Sequence, residues 1–506
     1  MKESTQLDIT TVEGILKHPV FHSFNQLSQI PRGSGNEHAV SNYLMSFAKE
    51  LGLDAIQDEA LNLIIKKPAT QGFEAAPAII LQGHMDMVCE KNKGTTHDFD
   101  KDPLQLRVKD GMLYATDTTL GADNGIAVAY MMALLSDKNA EHPAIEALIT
   151  TEEESTMGGA LAVDFSNMDG QILLNLDGEA EGVLLVSCAG GVTARQRLPI
   201  EWDRLQADRK AYRLWISGLF GGHSGAEIHK ERGNANKLLG RVLSDAREQI
   251  SLQIQYVHGG MKTNAIPREA EAIIFISIEQ EATLQEIVEK WQMTLQKELR
   301  VQDPNVQVSV EQLEAIESAH GKETKVLSEK TASLLLSSIL LTPNGVKAMS
   351  MDIENLVESS NNLGVIRIDG DMILLENEVR SSVATAKEAI VEELRALATL
   401  TGATLATDSS YPEWAYRPDS MIRPLCVDVY EKVYGKPAQV EAVHAGLECG
   451  VFAGHAPYLD MISFGPNIYD PHTPDEHVDI LSTIRVWEYL LEVLQATKDL
   501  QDVEAG

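Results

Sequence analysis

His84 and Asp86 stand two residues apart at the end of an apolar run, and that pair is the first chemistry the sequence offers. Pro77 to Leu81 reads as a buried strand that stops at Gly83. A histidine at a strand's carboxyl end points into the crevice where open α/β sheets bind ligands. Asp86 is near enough to accept a hydrogen bond from the other ring nitrogen, which would fix the tautomer and make the imidazole a better metal ligand. Alone, His-x-Asp also describes a histidine satisfied in a turn, so the weight rests on what else reaches the same edge.

Two further apolar strands end in carboxylates. Ala144 to Thr150 is followed at once by Glu152, Glu153 and Glu154, and Gln171 to Leu176 delivers Asp177. Asp123 lies in the Gly-rich loop Thr118 to Gly125, before an all-apolar run, Ile126 to Leu135, that suits a buried helix. His472 sits in a loop near the end of the chain, after the short strand Met461 to Phe464. Carboxylates crowded at one sheet edge repel unless a cation neutralises them. Two imidazoles with several carboxylates suit zinc better than magnesium or calcium, which prefer all-oxygen shells. The candidates His84, Asp123, Glu153 or Glu154, Asp177 and His472 are too many for one tetrahedral zinc that also holds water. They suffice for two zincs sharing a carboxylate, a pair that at roughly 3.5–4 Å generates and positions a hydroxide.

The elements that must hold these groups fall into two textures. Asn36 to Leu51 is an amphipathic helix, and with the strands above it begins an α/β domain. From about Gly191 the order becomes β-α-β-β-α-β over Ala211 to Val310, a split βαβ unit that suggests a separate α+β domain. A helix is expected near Lys325 to Leu341, strands at Gly364 to Asp369 and Met372 to Arg380, and a helix at Ala386 to Leu400. The last hundred residues resemble the first domain again. The expected layout is therefore a first domain in two segments, 1–190 and 394–506, with a second domain, 191–393, inserted between them.

Composition narrows the function classes. Among 506 residues, Asp plus Glu outnumber Lys plus Arg by 75 to 42, a net charge of −33 that repels nucleic acid and anionic lipid. The four cysteines form no Cys-x-x-Cys pair and read as reduced thiols. The start shows no signal peptide and no run reaches membrane-spanning length, so a cytoplasmic protein with no membrane or nucleic-acid partner is expected.

Taken together, the motifs resemble the co-catalytic dizinc peptidases related to aminoacylase and carnosinase, and within them the aminoacyl-histidine dipeptidase branch. The stretches that carry the resemblance are Gly83-His84-Met85-Asp86-Met87-Val88, Thr118 to Gly125, Cys188 to Gly191, Gly221-Gly222-His223-Ser224-Gly225, Gly233 to Leu238, His444 to Gly450 and Pro471-His472-Thr473-Pro474-Asp475-Glu476. The resemblance implies a catalytic domain with a mixed sheet and helices on both faces, and a lid domain that closes over a small dipeptide substrate. It implies His84 and Asp177 on one Zn2+, Glu154 and His472 on the other, and Asp123 bridging, with Co2+ or Mn2+ as possible substitutes. Glu153 would be the general base acting on the metal-bridging hydroxide, and Asp86 the partner of His84. In the lid, His223 resembles the histidine that stabilises the oxyanion, Arg380 the arginine that holds the substrate carboxylate, and Asn264 a substrate-contact residue. A homodimer is also implied. One position departs from the family: Thr156 stands where a glycine is usual, so spacing allows Glu152-Glu153 as well as Glu153-Glu154 to be the working pair.

Three other readings compete with an Xaa-His dipeptidase, β-alanyl-histidine being one such substrate. One is an N-acyl amino acid amidohydrolase using the same metals. Another is a non-catalytic metal- or peptide-binding relative, against which an intact Glu153 argues. The weakest is a serine or cysteine hydrolase built on Ser224 beside His223 or Cys449 near His444.

Overall fold

Apolar runs without alternation become strands buried on both faces. The computed structural model describes residues 7–313 and 324–500. It divides into two units. One gathers the chain up to Ser187 with Trp414–Ala442 and the stretch from Leu447; the other gathers Cys188–Glu413 with Val443–Gly446.

In the first unit, Ile145–Thr150, Ile79–His84, Ile172–Asn175 and Asp460–Ser463 lie side by side and parallel. All four are buried along their length. Leu63–Lys67 and Asp54–Gln57 add an antiparallel edge, and Val183–Cys188 and Gln439–Val443 extend the other side to make an eight-stranded mixed sheet. Each face carries a helix. A Cβ at Gly83 would lie 2.6 Å from Ala127 Cβ, on the helix Ala122–Ser136. The next residue back, Gln82, points the opposite way and donates to Glu448 at the start of the helix Glu448–His455. Ala122–Ser136 is buried almost all round, as its apolar sequence requires, and Pro19–Ser28 packs against it. Parallel neighbours put their carboxyl ends at one edge, so His84, the residues after Thr150 and the residues after Asn175 emerge together.

The second unit contains the expected split βαβ arrangement. Arg209–Ser217, Ala235–Gln249, Gln253–Gly259, Ala270–Ser277, Glu281–Glu298 and Gln307–Gln312 follow in sequence. Their strands run fourth, first, third, second across the sheet, each antiparallel to its neighbour. Tyr212, Leu214, Ile216, Leu239 and Val242 belong to the core between sheet and helices. Val357–Asp369, Met372–Ser381, Gly190–Pro199 and Thr404–Tyr411 continue the same sheet.

Two sequence expectations are corrected. The boundary expected at 393 falls inside the helix Ala384–Thr401. That helix packs on the sheet, and the strand after it pairs with Gly190–Pro199, so the inserted unit runs on to Glu413. The helix expected from Lys325 begins only at Glu329: Lys325–Leu327 pairs antiparallel with Trp202–Arg204, and Ser328 caps the helix by accepting from Thr331 N–H.

Gly83 makes the close approach of sheet and helix testable. Gly83→Ala would press a methyl against Asn124 Oδ1 and Ala127 Cβ, at 2.4 and 2.6 Å. The expected outcome is a loss of about 1–3 kcal/mol in urea unfolding, the usual cost of overpacking a core.

Candidate metal centre

The strand and loop ends bring seven of the sequence candidates together in the first unit. His84, the last residue of its strand, is fully buried. Its Nε2 lies 3.1 Å from Asp123 Oδ1, 3.6 Å from Asp177 Oδ1 and 3.9 Å from Glu153 Oε2, and its Nδ1 lies 3.3 Å from Asp86 Oδ1. His472 Nε2 lies 2.9 Å from Glu154 Oε2 and 3.3 Å from Asp123 Oδ2. Asp123 thus faces one imidazole with each of its oxygens. Asp177 stands with His84 and Glu154 with His472.

The loops that carry these groups are held by buried polar side chains. Asp86 accepts from Ser34 Oγ and from the backbone N–H of Glu153 and Glu154, at 2.7, 3.1 and 3.2 Å. Asn124 accepts from His84 N–H and donates to the Leu176 carbonyl. Glu476 accepts from the N–H groups of Leu120, Gly121 and Ala122, at 2.7, 2.9 and 2.7 Å, with Asp123 N–H at 3.4 Å. Arg32, 2% exposed, donates to the carbonyls of Met85, Asp86 and Gly121. On the sheet face beneath His84, Glu448 accepts from Gln82 and Thr150. Sequence reasoning gave no role to Arg32, Glu448 or Glu476. Glu448 and Glu476 lie inside motifs quoted above, whereas nothing in the spacing around Arg32 marks it.

Electrostatics follow from burying so much charge. Burial opposes the charged form of His84, but the carboxylates of Asp177, Asp123 and Asp86 outweigh it and raise the imidazole well above its ordinary value. Hydrogen bonds to Asp123 and Glu154 raise His472 to about 11. Burial also opposes ionisation of Asp123, yet its bonds with His472 and His84 hold it well below the carboxylate range. Three carboxyls go the other way: burial pushes Glu153 up to about 8, Glu448 to about 7 and Asp177 well above its usual value. Glu154 Oε1 is buried and makes no hydrogen bond. Imidazoles and carboxylates facing one another around a shared aspartate, with a buried carboxylate oxygen left over, fit divalent cations, and among the described residues His84, Asp123 and Glu154 offer ligand atoms within 4.8 Å of one another.

The three consecutive glutamates separate by geometry. Glu154 meets His472, and Glu153 is turned toward His84. Glu152 has φ of 54°, and its carboxylate accepts from Thr156 Oγ1 at 2.8 Å. The threonine that departs from the family pattern therefore occupies Glu152 within the local turn.

The candidates in the second unit stand apart in chemistry. His223 pairs antiparallel with Ala265 on a two-residue strand, and its Nδ1 accepts from Ala226 N–H at 3.0 Å. Burial, then the charge of Arg380, lowers its pKa, so a neutral ring presents Nε2–H as a donor. Asn264, which precedes Ala265, lines with His223 a cavity of about 760 Å³. Arg380 is 5% exposed, not a surface ion pair: its Nη1 donates to the Tyr411 hydroxyl, and its Nε makes no hydrogen bond. Tyr411 lies across Gly191, where a Cβ would come 2.4 Å from the ring. His444 Nε2 lies 2.7 Å from Ser360 Oγ, and burial, then Arg380, pushes its pKa down to about 3. Ser224 Oγ is buried without a hydrogen bond and the His223 nitrogen nearest the turn is already occupied by backbone N–H, so no Ser-His nucleophile is formed.

Known proteins resemble this chain along nearly its whole length. The profile of Peptidase family M20/M25/M40 matches residues 80–496. The cytosol non-specific dipeptidase of Escherichia coli is 36% identical over 477 residues, 94% of this chain and 97% of its own length. The crystal structure of aminoacylhistidine dipeptidase from Vibrio alginolyticus superposes with a TM-score of 0.89 at 36% identity, covering 96% of this chain and 98% of its own. A tripeptidase structure from Staphylococcus aureus, 17% identical with a TM-score of 0.54 over 95% of this chain and 98% of its own, shares the fold.

Glu154 and Glu152 provide a paired test of this geometry. Glu154→Gln is expected to lower bound metal by elemental analysis, because the group facing His472 loses its charge. Glu152→Gln should leave metal content unchanged and stability within about 0.5 kcal/mol, as for a surface substitution.

Proposed function

The chain belongs to peptidase family M20/M25/M40 and is a metal-dependent dipeptidase, and we propose that it uses two zinc ions to cleave small dipeptides, Xaa-His dipeptides such as β-alanyl-histidine among them. The observation that carries the metal reading is Asp123, with one oxygen toward His84 and the other toward His472. His84 and Asp177 would hold one cation, Glu154 and His472 the second, and Asp123 both. When bound, such a pair supplies Lewis-acid polarisation of the scissile carbonyl and an acidified water.

The chain's own residues then divide the work. Asp86 faces His84 Nδ1 and fixes which ring nitrogen is left for the metal. Glu153 is the general base: it takes the proton of the attacking water and returns it to the departing amine nitrogen. Its carboxylate sits with the ligands, 3.9 Å from His84 Nε2, as a base beside a cation pair requires. His223 offers a neutral Nε2–H, the form that can donate to an oxyanion. Arg380 carries an unpartnered Nε–H in a buried setting, and its planar fork suits a substrate carboxylate. Asn264, on the wall of the same cavity as His223, completes the substrate contacts. We place the protein in the cytoplasm as a homodimer. The word cytosol in the name of the Escherichia coli relative supports the first and the family resemblance the second. Among the described residues no helix is long and apolar enough to cross a membrane.

A panel of dipeptides, tripeptides and N-acyl amino acids tests the substrate class. Hydrolysis of free-amine dipeptides, Xaa-His included, lost on chelation and restored by Zn2+, is expected; turnover confined to N-acyl amino acids would replace the dipeptidase reading by an amidohydrolase. Glu153→Gln should keep both metals while kcat falls by about 10²–10⁴ and KM changes little, as for loss of a general base. Arg380→Ala should raise KM for dipeptides with a free carboxylate far more than for their amides; equal losses would remove Arg380 from carboxylate recognition.

A further inference from the structure

Two buried side chains hold the backbone at Gly121, one at its carbonyl and one at its N–H. On one side Arg32 Nη2 donates to its carbonyl at 2.6 Å, while Arg32 Nη1 donates to the carbonyls of Met85 and Asp86, in the turn that follows His84. On the other side Glu476 accepts from Gly121 N–H and from the flanking N–H groups of Leu120 and Ala122. Gly121 has φ of +65°, and a Cβ there would lie 2.5 Å from Arg32 Nη2, so glycine is what allows the guanidinium this close. Two residues on is Asp123. Four residues before Glu476 is His472.

Asp123 and His472 need this tie because neither is fixed by regular backbone: Asp123, at the start of Ala122–Ser136, has non-helical φ and ψ of −79° and 105°. His84 ends a strand with a parallel neighbour on each side, and Asp177 follows such a strand. His472 lies in the turn between Ile468–Tyr469 and His477–Asp479, with φ of +62° and its side chain 51% exposed. The second of those short strands pairs with Met112–Ala115, which leads toward the Asp123 loop, and His477 stacks on Tyr114 with centroids 4.6 Å apart. That pairing brings the two loops near each other. The Glu476 carboxylate, with one oxygen for Leu120 and Gly121 and the other for Ala122, is what sets the Asp123 loop against the His472 turn.

We propose that Glu476, with Arg32 on the opposite side of the same peptide, is a positioning residue that registers Asp123 against His472 and so controls occupancy of the second cation position. The inference rests on the two-cation reading above. It gives Glu476 no contact with substrate or metal; it acts through the backbone N–H groups it holds.

Stepwise metal binding separates this role from simple structural support. Metal-free protein, checked for native circular dichroism, is titrated with Zn2+ by equilibrium dialysis with elemental analysis, and in parallel with Co2+ by visible absorption. Wild type is expected to take up two cations. In Glu476→Gln one acceptor oxygen becomes an amide that faces two N–H donors. That variant should bind the first cation near wild-type affinity and the second about 10–100-fold more weakly, the range for losing groups that orient metal ligands. The Co2+ absorption of the second equivalent should shrink with it. Glu476→Asp keeps both oxygens but withdraws them, and should fall between the two; it is read by the same criterion if the Gln variant does not fold. Two cations bound by the variants with wild-type affinity, or a parallel loss of both, overturns the positioning role. A wild-type chain that binds fewer than two cations overturns the two-cation reading and this inference with it.

Discussion

Asp123 sets one carboxylate oxygen against His84 and the other against His472. That shared contact forces negative charge into a buried space where Glu153, Glu154 and Asp177 already stand. Two like charges 4 Å apart repel by about 4 kcal/mol at an effective dielectric of about 20. The cluster tolerates this because the imidazoles are drawn toward their charged form, and because the donor set offers divalent cations a place. Much of the surrounding architecture serves to hold this crowded arrangement at fixed separations. Asp86 ties the His84 turn to the backbone of Glu153 and Glu154, Asn124 ties the strand end of His84 to the residue before Asp177, and Arg32 and Glu476 grip the loop that carries Asp123.

The sheet explains why these residues meet at all. Four parallel strands put their carboxyl ends at one edge, and residues at or just after three of those ends enter a common space. The strands themselves spend their side chains on burial, with helices over both faces, so only their ends are free to vary chemically. Gly83 shows the constraint: it lets the helix Ala122–Ser136 come close enough to the sheet for Asn124 to reach the His84 backbone.

The two units use opposite electrostatics. In the first, carboxylates surround histidines and favour their charged forms. In the second, burial and the nearby Arg380 keep His223 and His444 neutral. Neutral rings with defined donor and acceptor nitrogens are suited to hydrogen bonding, whereas the first unit's rings would give up a proton to ligate a cation in its place. Arg380 itself is kept in place by Tyr411, whose ring fits only because residue 191 is glycine.

Much of this was legible in the sequence because it is local. Apolar runs ending in His84, Glu153-Glu154 and Asp177 need only the periodicity of a strand to be recognised, and the β-α-β-β-α-β order of the second unit follows from alternating helical and strand patterns. Local pattern misplaced what long-range pairing decides: Lys325–Leu327 is a strand because Trp202–Arg204 is there to pair with it, and Ala384–Thr401 stays with the inserted unit because Gly190–Pro199 pairs with the strand that follows. The three glutamates were inseparable by spacing; the Thr156 bond to Glu152 and the approach of Glu154 to His472 distinguish them. Arg32 and Glu476 carry no signal of their own role, since Glu476 binds backbone groups 354 to 356 residues away and Arg32 binds one 89 residues away. The sequence by itself determined which residue types stand at the strand ends, because strand periodicity is a property of neighbours. Only the tertiary structure decided which of them face one another, because a hydrogen bond between distant loops depends on how the sheet brings them together.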